Sequence, residues 1–535
     1  MLGADAVIDE RSEVNRRSVE TSHGTRAPTA FVYPSSTEQV QQVVRLANEH
    51  KVRLFPSSRG HNWGYGGNNS LDSEAVVVAL ERMNRILEVN QELAYAVIEP
   101  GVTYEQLHKH LFELGHHLWA DTTDGPPRGS VLGNALDRGV GETPYGDHFG
   151  NLCGMEVVLP TGELVHSGGS APDNPTKTWH THKWGVGPYF DGAFTQSNFG
   201  IVTRAGIWLM PKPETRVSYV FELGSDEHLA AAIDAFRVLA LQGVVSSKLH
   251  LISDFVSLTI LTQHINEEVD PGLLSPGTLS ALGKKYGFAR WSGAASLYGS
   301  PGFVSAQKRN LKKALGAYGK LMFFNDTSVK WVERLLAKAQ TSPWVRRLAE
   351  LMFGRSIGML NSIPYLHRLF RGEPTRYFLN HAYYRMPTQR PGVTAEPAAD
   401  GVGLTWFAPV LPFTGHHVTP FLAEARKRFE AQGFDFYQAM LMVNPRSVVC
   451  LMGILYRKAD PAEVARASAL YDELLKWVAD QGYQQYRAAV ASWPTMFERA
   501  PEWGQMLEKV RSALDPNDVL APGKYGLGKV PPRSE

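Results

Sequence analysis

Ser57-Ser58-Arg59-Gly60-His61-Asn62-Trp63-Gly64-Tyr65-Gly66-Gly67 gathers glycines and small residues directly after a short apolar run. Such a loop lets backbone N–H groups come close to a phosphate. No Gly-Lys-Ser/Thr ends it, so it is not a P-loop. It also lacks the glycine spacing and later ribose-binding acid of the dinucleotide fingerprint. An ordinary tight turn is the alternative. A second stretch, DTTDGPPRGSVLGNALDRGVGETPYGDH (121–148), is too long and polar for a simple connector. Val131, Leu132, Ala135, Leu136 and Val140 within it argue against disorder. Other local patterns carry less. Gly354-Arg355-Ser356-Ile357-Gly358 matches a nucleophile elbow, but that motif needs a preceding strand and VRRLAELMF reads as a helix. The pairs His116-His117, His180/His182 and His416-His417 lack the carboxylate partners or helical spacing of a metal site, so no metal is expected.

These loops need elements to hold them. From Ala30 the chain reads as a strand (AFVYP), then a helix with Val40, Val43, Val44 and Ala47 on one face, capped by Ser36 or Thr37. A second strand (VRLFPSS) feeds the first glycine-rich loop. EAVVVAL and AYAVIEPG read as strands, VTYEQLHKHLFELG as an amphipathic helix closed by Gly115, and GMEVVLPTGELV as a hairpin turned at Pro160-Thr161-Gly162. FGIVTRAGIWLMPKP reads as a strand pair. After Pro213 the texture changes: VSYVFEL, then EHLAAAIDAFRVLAL, then KLHLISD and SLTILTQ suggest a strand–helix–strand unit. A helix-rich stretch between Ser305 and Arg368 follows, and then an antiparallel α+β pattern through SVVCLMGILY. The boundary is placed near residue 213, giving domains 1–213 and 214–499, with 500–535 returning to the first.

The 535 residues carry 54 Lys+Arg against 53 Asp+Glu, a net charge of +1. That balance lacks the basic footprint of a nucleic-acid or anionic-membrane binder. Two cysteines, Cys153 and Cys450, are too few for a disulfide scaffold or a cysteine-based zinc site. No signal-like apolar segment opens the chain and no long apolar run follows, so a cytoplasmic protein with no membrane span is expected.

FPSSRGHNWGYGG, AYAVIEPGVTYEQLH, GSVLGNALDRGVGETPYGDHFGNLCGMEVVLPTGELV, FGIVTRAGIWLMPKP and the terminal LAPGKYG together resemble the vanillyl-alcohol oxidase / para-cresol methylhydroxylase flavoprotein family. The resemblance covers most of 30–213 and the C-terminus; the middle matches more loosely, at TWFAPV and GYQQYR. It implies an α+β, two-domain FAD-binding fold with an antiparallel-sheet substrate (cap) domain, and a homodimer. FAD would lie against Ser57, Ser58, Arg59, Gly60, His61 and Asn62. Further contacts would come from Gly133, Asn134, Gly139, Tyr145, Gly146, Gly200, Ile201, Val202 and Lys524.

By the same resemblance Tyr65, Tyr486 and Arg487 correspond to the family's phenolate-binding trio and Asp124 to its active-site acid. A free phenol has a pKa near ~10, and a guanidinium with hydroxyl donors on its oxygen favours the anion. The phenolate weakens the para-benzylic C–H, so that a hydride leaves toward the flavin and a para-quinone methide results. Asp124 would stabilise charge there or activate water. Trp406, Ala439 and Gln485 fall where the family lines its substrate pocket. Leu404 stands where relatives attach the flavin through the cap, which removes that linkage. His61 sits in an Arg-Gly-His-Asn loop resembling one that attaches FAD in berberine-bridge-type members, so it is expected either to anchor FAD covalently or to hydrogen-bond its pyrophosphate. Three classes stay open: oxidation of a para-substituted phenol, with dioxygen or a cytochrome as acceptor; oxidation of an alcohol, sugar or alkaloid on the same fold; and a noncatalytic flavin- or ligand-binding protein.

Overall fold

The computed structural model describes residues 3–267, 269 and 273–529. Strands Ala30–Val32, Val76–Ala79 and Leu54–Ser57 run parallel, with Val7–Ile8 added antiparallel at the edge. Val76–Ala79 lies between Ala30–Val32 and Leu54–Ser57, and the helix Thr37–His50 connects those two, the kind of crossover that parallel strands of one sheet require. Ser36 Oγ accepts the Gln39 N–H at its start, and Val40, Val43, Val44 and Ala47 are buried, the face that their spacing predicts. A five-stranded antiparallel sheet follows, in the order Ile86–Asn90, Tyr95–Ile98, Ile201–Trp208, Leu152–Val158, Leu164–His166. The last two form the hairpin expected of GMEVVLPTGELV.

The middle of the chain builds a nine-stranded antiparallel sheet. Across it run Lys320–Phe324, Thr215–Leu223, Trp291–Gly299, His250–Ser253, Tyr437–Asn444 and Ser447–Arg457, with Val402–Phe407 and Pro409–Pro412 both paired to the last of these. The chain then rejoins the first core. Ala488, Val490, Trp493 and Tyr525 pack with Phe31 and Phe55. Leu54 donates its N–H to Val519 C=O at 2.8 Å and accepts from Ala521 N–H at 2.7 Å.

Two elements differ from expectation. SLTILTQ lies in a helix, Asp254–Leu261, whose Phe255, Val256, Leu258 and Thr259 are buried. Ser253 caps that helix, and burial of the segment overrides its β-branched character. FGIVTRAGIWLMPKP does form two strands, Ile201–Trp208 and Met210–Pro211, but they do not pair with each other: the first lies within the five-stranded sheet and the second pairs with Leu118–Trp119. In Gly354–Gly358 the preceding segment is the helix Pro343–Phe353. Ser356 caps the next helix, Ile357–Leu369, by accepting the Met359 N–H, so it is no nucleophile elbow. Among the described residues no cluster of histidine, cysteine and acidic side chains could hold a metal, and no helix is long and apolar enough to cross a membrane.

Candidate active site

The two glycine-rich loops face each other under the nine-stranded sheet. Ser130 caps the short helix Val131–Leu136 by accepting the Gly133 N–H at 2.8 Å, which turns that helix start toward the first loop. A Cβ on Gly133 would overlap Ser58 Oγ, so only glycine permits this approach. Gly64, at φ +80°, brings the loop against the sheet: its carbonyl accepts the Trp406 N–H at 2.9 Å, and a Cβ there would strike the Trp406 ring.

Between loops and sheet lies one continuous cavity of about 470 Å³. It is lined by Ser57, Ser58, Arg59, Gly60, His61, Asn62, Tyr65, Asp124, Gly133, Asn134, Gly139, Gly200, Ile201, Val202, Trp406, Ala439, Tyr486, Arg487 and Lys524. Three expected residues stand off its wall. Tyr145 packs on the Trp119, Met210 and Tyr298 cluster. Gly146 closes a turn by accepting the Gly141 N–H. Gln485 accepts from Tyr471 hydroxyl and reaches Ser492, behind the Tyr-Arg pair.

Arg487 is the centre of the lining. Its guanidinium carbon lies 5.1 Å from the Tyr65 ring centroid and 5.5 Å from that of Tyr486. Nε donates to Asp137 C=O at 3.1 Å and Nη1 to Asn62 Oδ1 at 3.4 Å, whereas Nη2 is buried with no partner. Burial works against the charge, but Tyr486 and Asp137 hold the guanidinium's pKa above its usual value. Burial pushes the Tyr65 phenol upward against the pull of Arg487, so Tyr65 remains a protonated donor. Tyr486 is raised for the same reason, but its hydroxyl already donates to Arg138 C=O at 2.6 Å. Its single proton is therefore engaged, and the trio offers the Tyr65 hydroxyl and Arg487 Nη2 first.

The opposite part of the wall carries groups that the sequence reading missed. Glu142 is fully buried, and burial, then Asp124 and Asp121, raise its pKa well above the carboxylate range, so it is a neutral acid. His250 Nδ1 stands 3.6 Å from Glu142 Oε1; that oxygen and His250 Nε2 are both buried without partners. Burial lowers the pKa of His250 and of His381, with Asp124 pulling the other way in each case. His381 lies 5.6 Å from Trp406 and 5.7 Å from Tyr437, ring to ring. Two signals could have found them: a glutamate inside an otherwise glycine-lined loop, and a histidine pointing inward in the alternating strand KLHLIS. Asp137 was also missed. Its carboxylate ties Asn62 Nδ2 (2.9 Å) to the Tyr525 hydroxyl (3.3 Å), joining the first loop to the C-terminal segment.

The cavity suits FAD by its donor set as well as its glycines. Arg59 Nε and His61 Nδ1 are buried without partners on the loop side, and Lys524, half-buried, also lines the cavity, its pKa lowered by burial. Buried unpaired donors of this kind need an acceptor. Residues 28–168 match the family model described as an FAD binding domain. Over 98% of its length the chain is 30% identical to the 4-cresol dehydrogenase [hydroxylating] flavoprotein subunit of Pseudomonas putida, covering 94% of that protein. The chain belongs to the vanillyl-alcohol oxidase / para-cresol methylhydroxylase family of FAD-dependent oxidoreductases. It is also 35% identical, over 98% of its length and 95% of the relative's, to the 1'-carboxy-chondrochloren decarboxylase of Chondromyces crocatus. The solved structure of p-cresol methylhydroxylase with substrate bound superposes with a TM-score of 0.86 at 28% identity, covering 98% of this chain and 95% of that one. A 4-ethylphenol oxidase from Gulosibacter chungangensis, in complex with isoeugenol, gives 0.85 at 28%, with the same coverage. The family's α+β architecture and FAD cofactor are thereby those of this protein.

Proposed function

We propose that this oxidoreductase removes a hydride from the benzylic carbon of a para-substituted phenol, of the 4-alkylphenol or 4-hydroxybenzyl alcohol type. The observation that carries the reading is the buried Arg487 fork, set against Tyr65 and Tyr486 with one donor nitrogen free. A phenol oxygen placed there meets a fixed cation and a protonated tyrosine hydroxyl, which favour the phenolate over the phenol. Its electron density flows through the ring, weakens the para C–H and leaves a quinone methide when the hydride departs. FAD, when bound, supplies the hydride acceptor. Asp124, Glu142 and His250 then manage protons around that carbon: Glu142 holds one, and neutral His250 accepts one from an adding water.

His61 we assign as the covalent anchor of FAD, on the strength of its buried, unpartnered Nδ1 in the cavity wall. Acid precipitation of the protein should leave the yellow colour with the polypeptide, and His61→Ala should release it; a colourless wild-type pellet rejects the linkage. The 35% identity to a decarboxylase favours a second reading at the same site. If the substrate's side chain carries a carboxylate on the carbon next to the benzylic one, the quinone methide can accept the pair from the C–C bond that breaks as CO₂ leaves. The products are then CO₂ and a vinylphenolate, without added water.

Both readings are tested by anaerobic mixing with 4-alkylphenols, 4-hydroxybenzyl alcohols and their carboxylated counterparts, with CO₂ measured. Bleaching by the phenols, lost in Arg487→Ala without loss of flavin, is the expected result. No bleaching by any phenol overturns it. Restoration of colour by air alone, or only by a cytochrome, identifies the electron acceptor.

A further inference from the structure

The cavity does not end at the benzylic position. It continues between the nine-stranded sheet and two helices, Asp254–Leu261 and Ile357–Leu369, whose residues line it together with the sheet. The floor is one face of the sheet. His250 registers with Ala294, Ala294 with Val220, and Val220 with Met322, so these four side chains form a row directly across four strands. All four line the cavity. Three strand steps place Met322 roughly 14 Å from His250. The roof is built at helical period: Met359, Ser362, Ile363 and Leu366 of Ile357–Leu369 lie on one face, and Val256 and Ile260 of Asp254–Leu261 close the side.

The polar groups in this annex are spent locally. Ser362 Oγ donates to Met359 C=O at 2.7 Å and Ser257 Oγ to Ser253 C=O at 3.2 Å. Arg355 is paired with Glu222 at 2.5 Å and donates to Gly287 C=O at 2.8 Å. Among the described lining side chains of the annex, Ser292 Oγ and, at the end nearest Glu142, His250 Nε2 are left buried without partners. An apolar space of this shape, continuous with the reacting centre, selects a ligand by its hydrocarbon content.

We infer that the annex binds the para side chain of the substrate, and that the natural substrate is a phenol carrying an extended hydrocarbon chain of roughly ten carbons rather than a methyl or ethyl group. The inference rests on the phenol reading above for the head of the molecule, but the annex itself is independent of what happens to that head. Chain binding follows from burial, about 0.8 kcal/mol per methylene, or about fourfold in affinity.

Dissociation constants of the flavin-loaded protein for 4-n-alkylphenols from methyl to octyl, and for 1-alkanols of the same lengths, measure this by calorimetry, with phenol turnover followed in parallel. Affinity should improve about fourfold per added methylene out to octyl in both series. Ile363→Trp, which fills the roof, should end the improvement at shorter chains; Ala294→Leu, which fills the floor, serves if the first variant does not fold. Constants flat with length, or a gain undiminished in both variants, overturn the annex, even if short phenols are oxidised. A chain-length gain with alkanols that Ile363→Trp removes, beside phenols that are never oxidised, upholds the annex and refutes the phenol reading instead.

Discussion

Replacing Arg487 by methionine removes the buried cation while keeping most of the side chain's volume. A unit charge about 4 Å from a phenolate oxygen contributes roughly 4 kcal/mol at an effective dielectric near 20. At 1.36 kcal/mol per pKa unit, that lowers the pKa of a bound phenol from about 10 to roughly 7. A 4-halophenol has no benzylic C–H and cannot react, so its phenolate absorption reports ionisation within the complex. Titration of the parent complex should give an apparent pKa near 7, and the Arg487→Met complex one near or above 10. With an oxidisable 4-alkylphenol, kcat/KM should fall by about two to three orders of magnitude. The substitution also removes the bonds to Asp137 C=O and Asn62 Oδ1, so stability should drop by about 1.5–3 kcal/mol. Flavin content therefore has to be measured beside activity. Arg487→Lys keeps the charge without the fork, and should recover part of the pKa shift but little of the rate. Equal ionisation of the halophenol in the parent and in Arg487→Met would refute the reasoning.

Glu142→Gln keeps the shape of the buried acid but cannot yield a proton; kcat should fall about a hundredfold with little change in KM, and unchanged kcat removes Glu142 from the chemistry. Glu20 is buried, and its carboxyl pKa is pushed up to about 7 by burial, against the pull of Lys458. The folded protein thus holds this proton more tightly than the unfolded chain, and stability falls as pH rises from the ordinary glutamate value toward 7. Glu20→Gln should match the parent near pH 4 and exceed it by up to about 3 kcal/mol at pH 8, read from urea midpoints; a pH-independent difference contradicts this. Gly64→Ala forces a side chain into φ +80° and onto Trp406, and should lower stability by more than about 2 kcal/mol, with Trp406→Ala in the same chain restoring part of the loss.

Much of this was legible in the residues. The helix Thr37–His50 shows its buried face in the spacing of its valines and its start in Ser36, because both signals are local. The glycine loops announce a close backbone approach, and the Ser58–Gly133 contact is what those glycines allow. Tyr65 and the Tyr486-Arg487 pair are more than 400 positions apart, and nothing local joins them; only the family pattern did. The Glu142–His250 contact was invisible for the same reason, since it depends on which strand neighbours the second loop. The engaged Tyr486 hydroxyl is likewise a matter of packing: it depends on where Arg138 presents its carbonyl. SLTILTQ misled because β-branched residues favour strands only on a surface that supports pairing, and here the segment is capped by Ser253 and buried as a helix.

The central claim is that an aryl oxyanion held at Arg487 drives departure of hydride from the carbon across the ring. Anaerobic mixing of the flavin-loaded protein with 4-ethylphenol and, separately, with its methyl ether 4-ethylanisole tests it most directly. The ether presents the same ring and the same benzylic C–H but cannot become an anion. Bleaching by the phenol and none by the ether is the predicted outcome, whereas bleaching at comparable rates by both would contradict it.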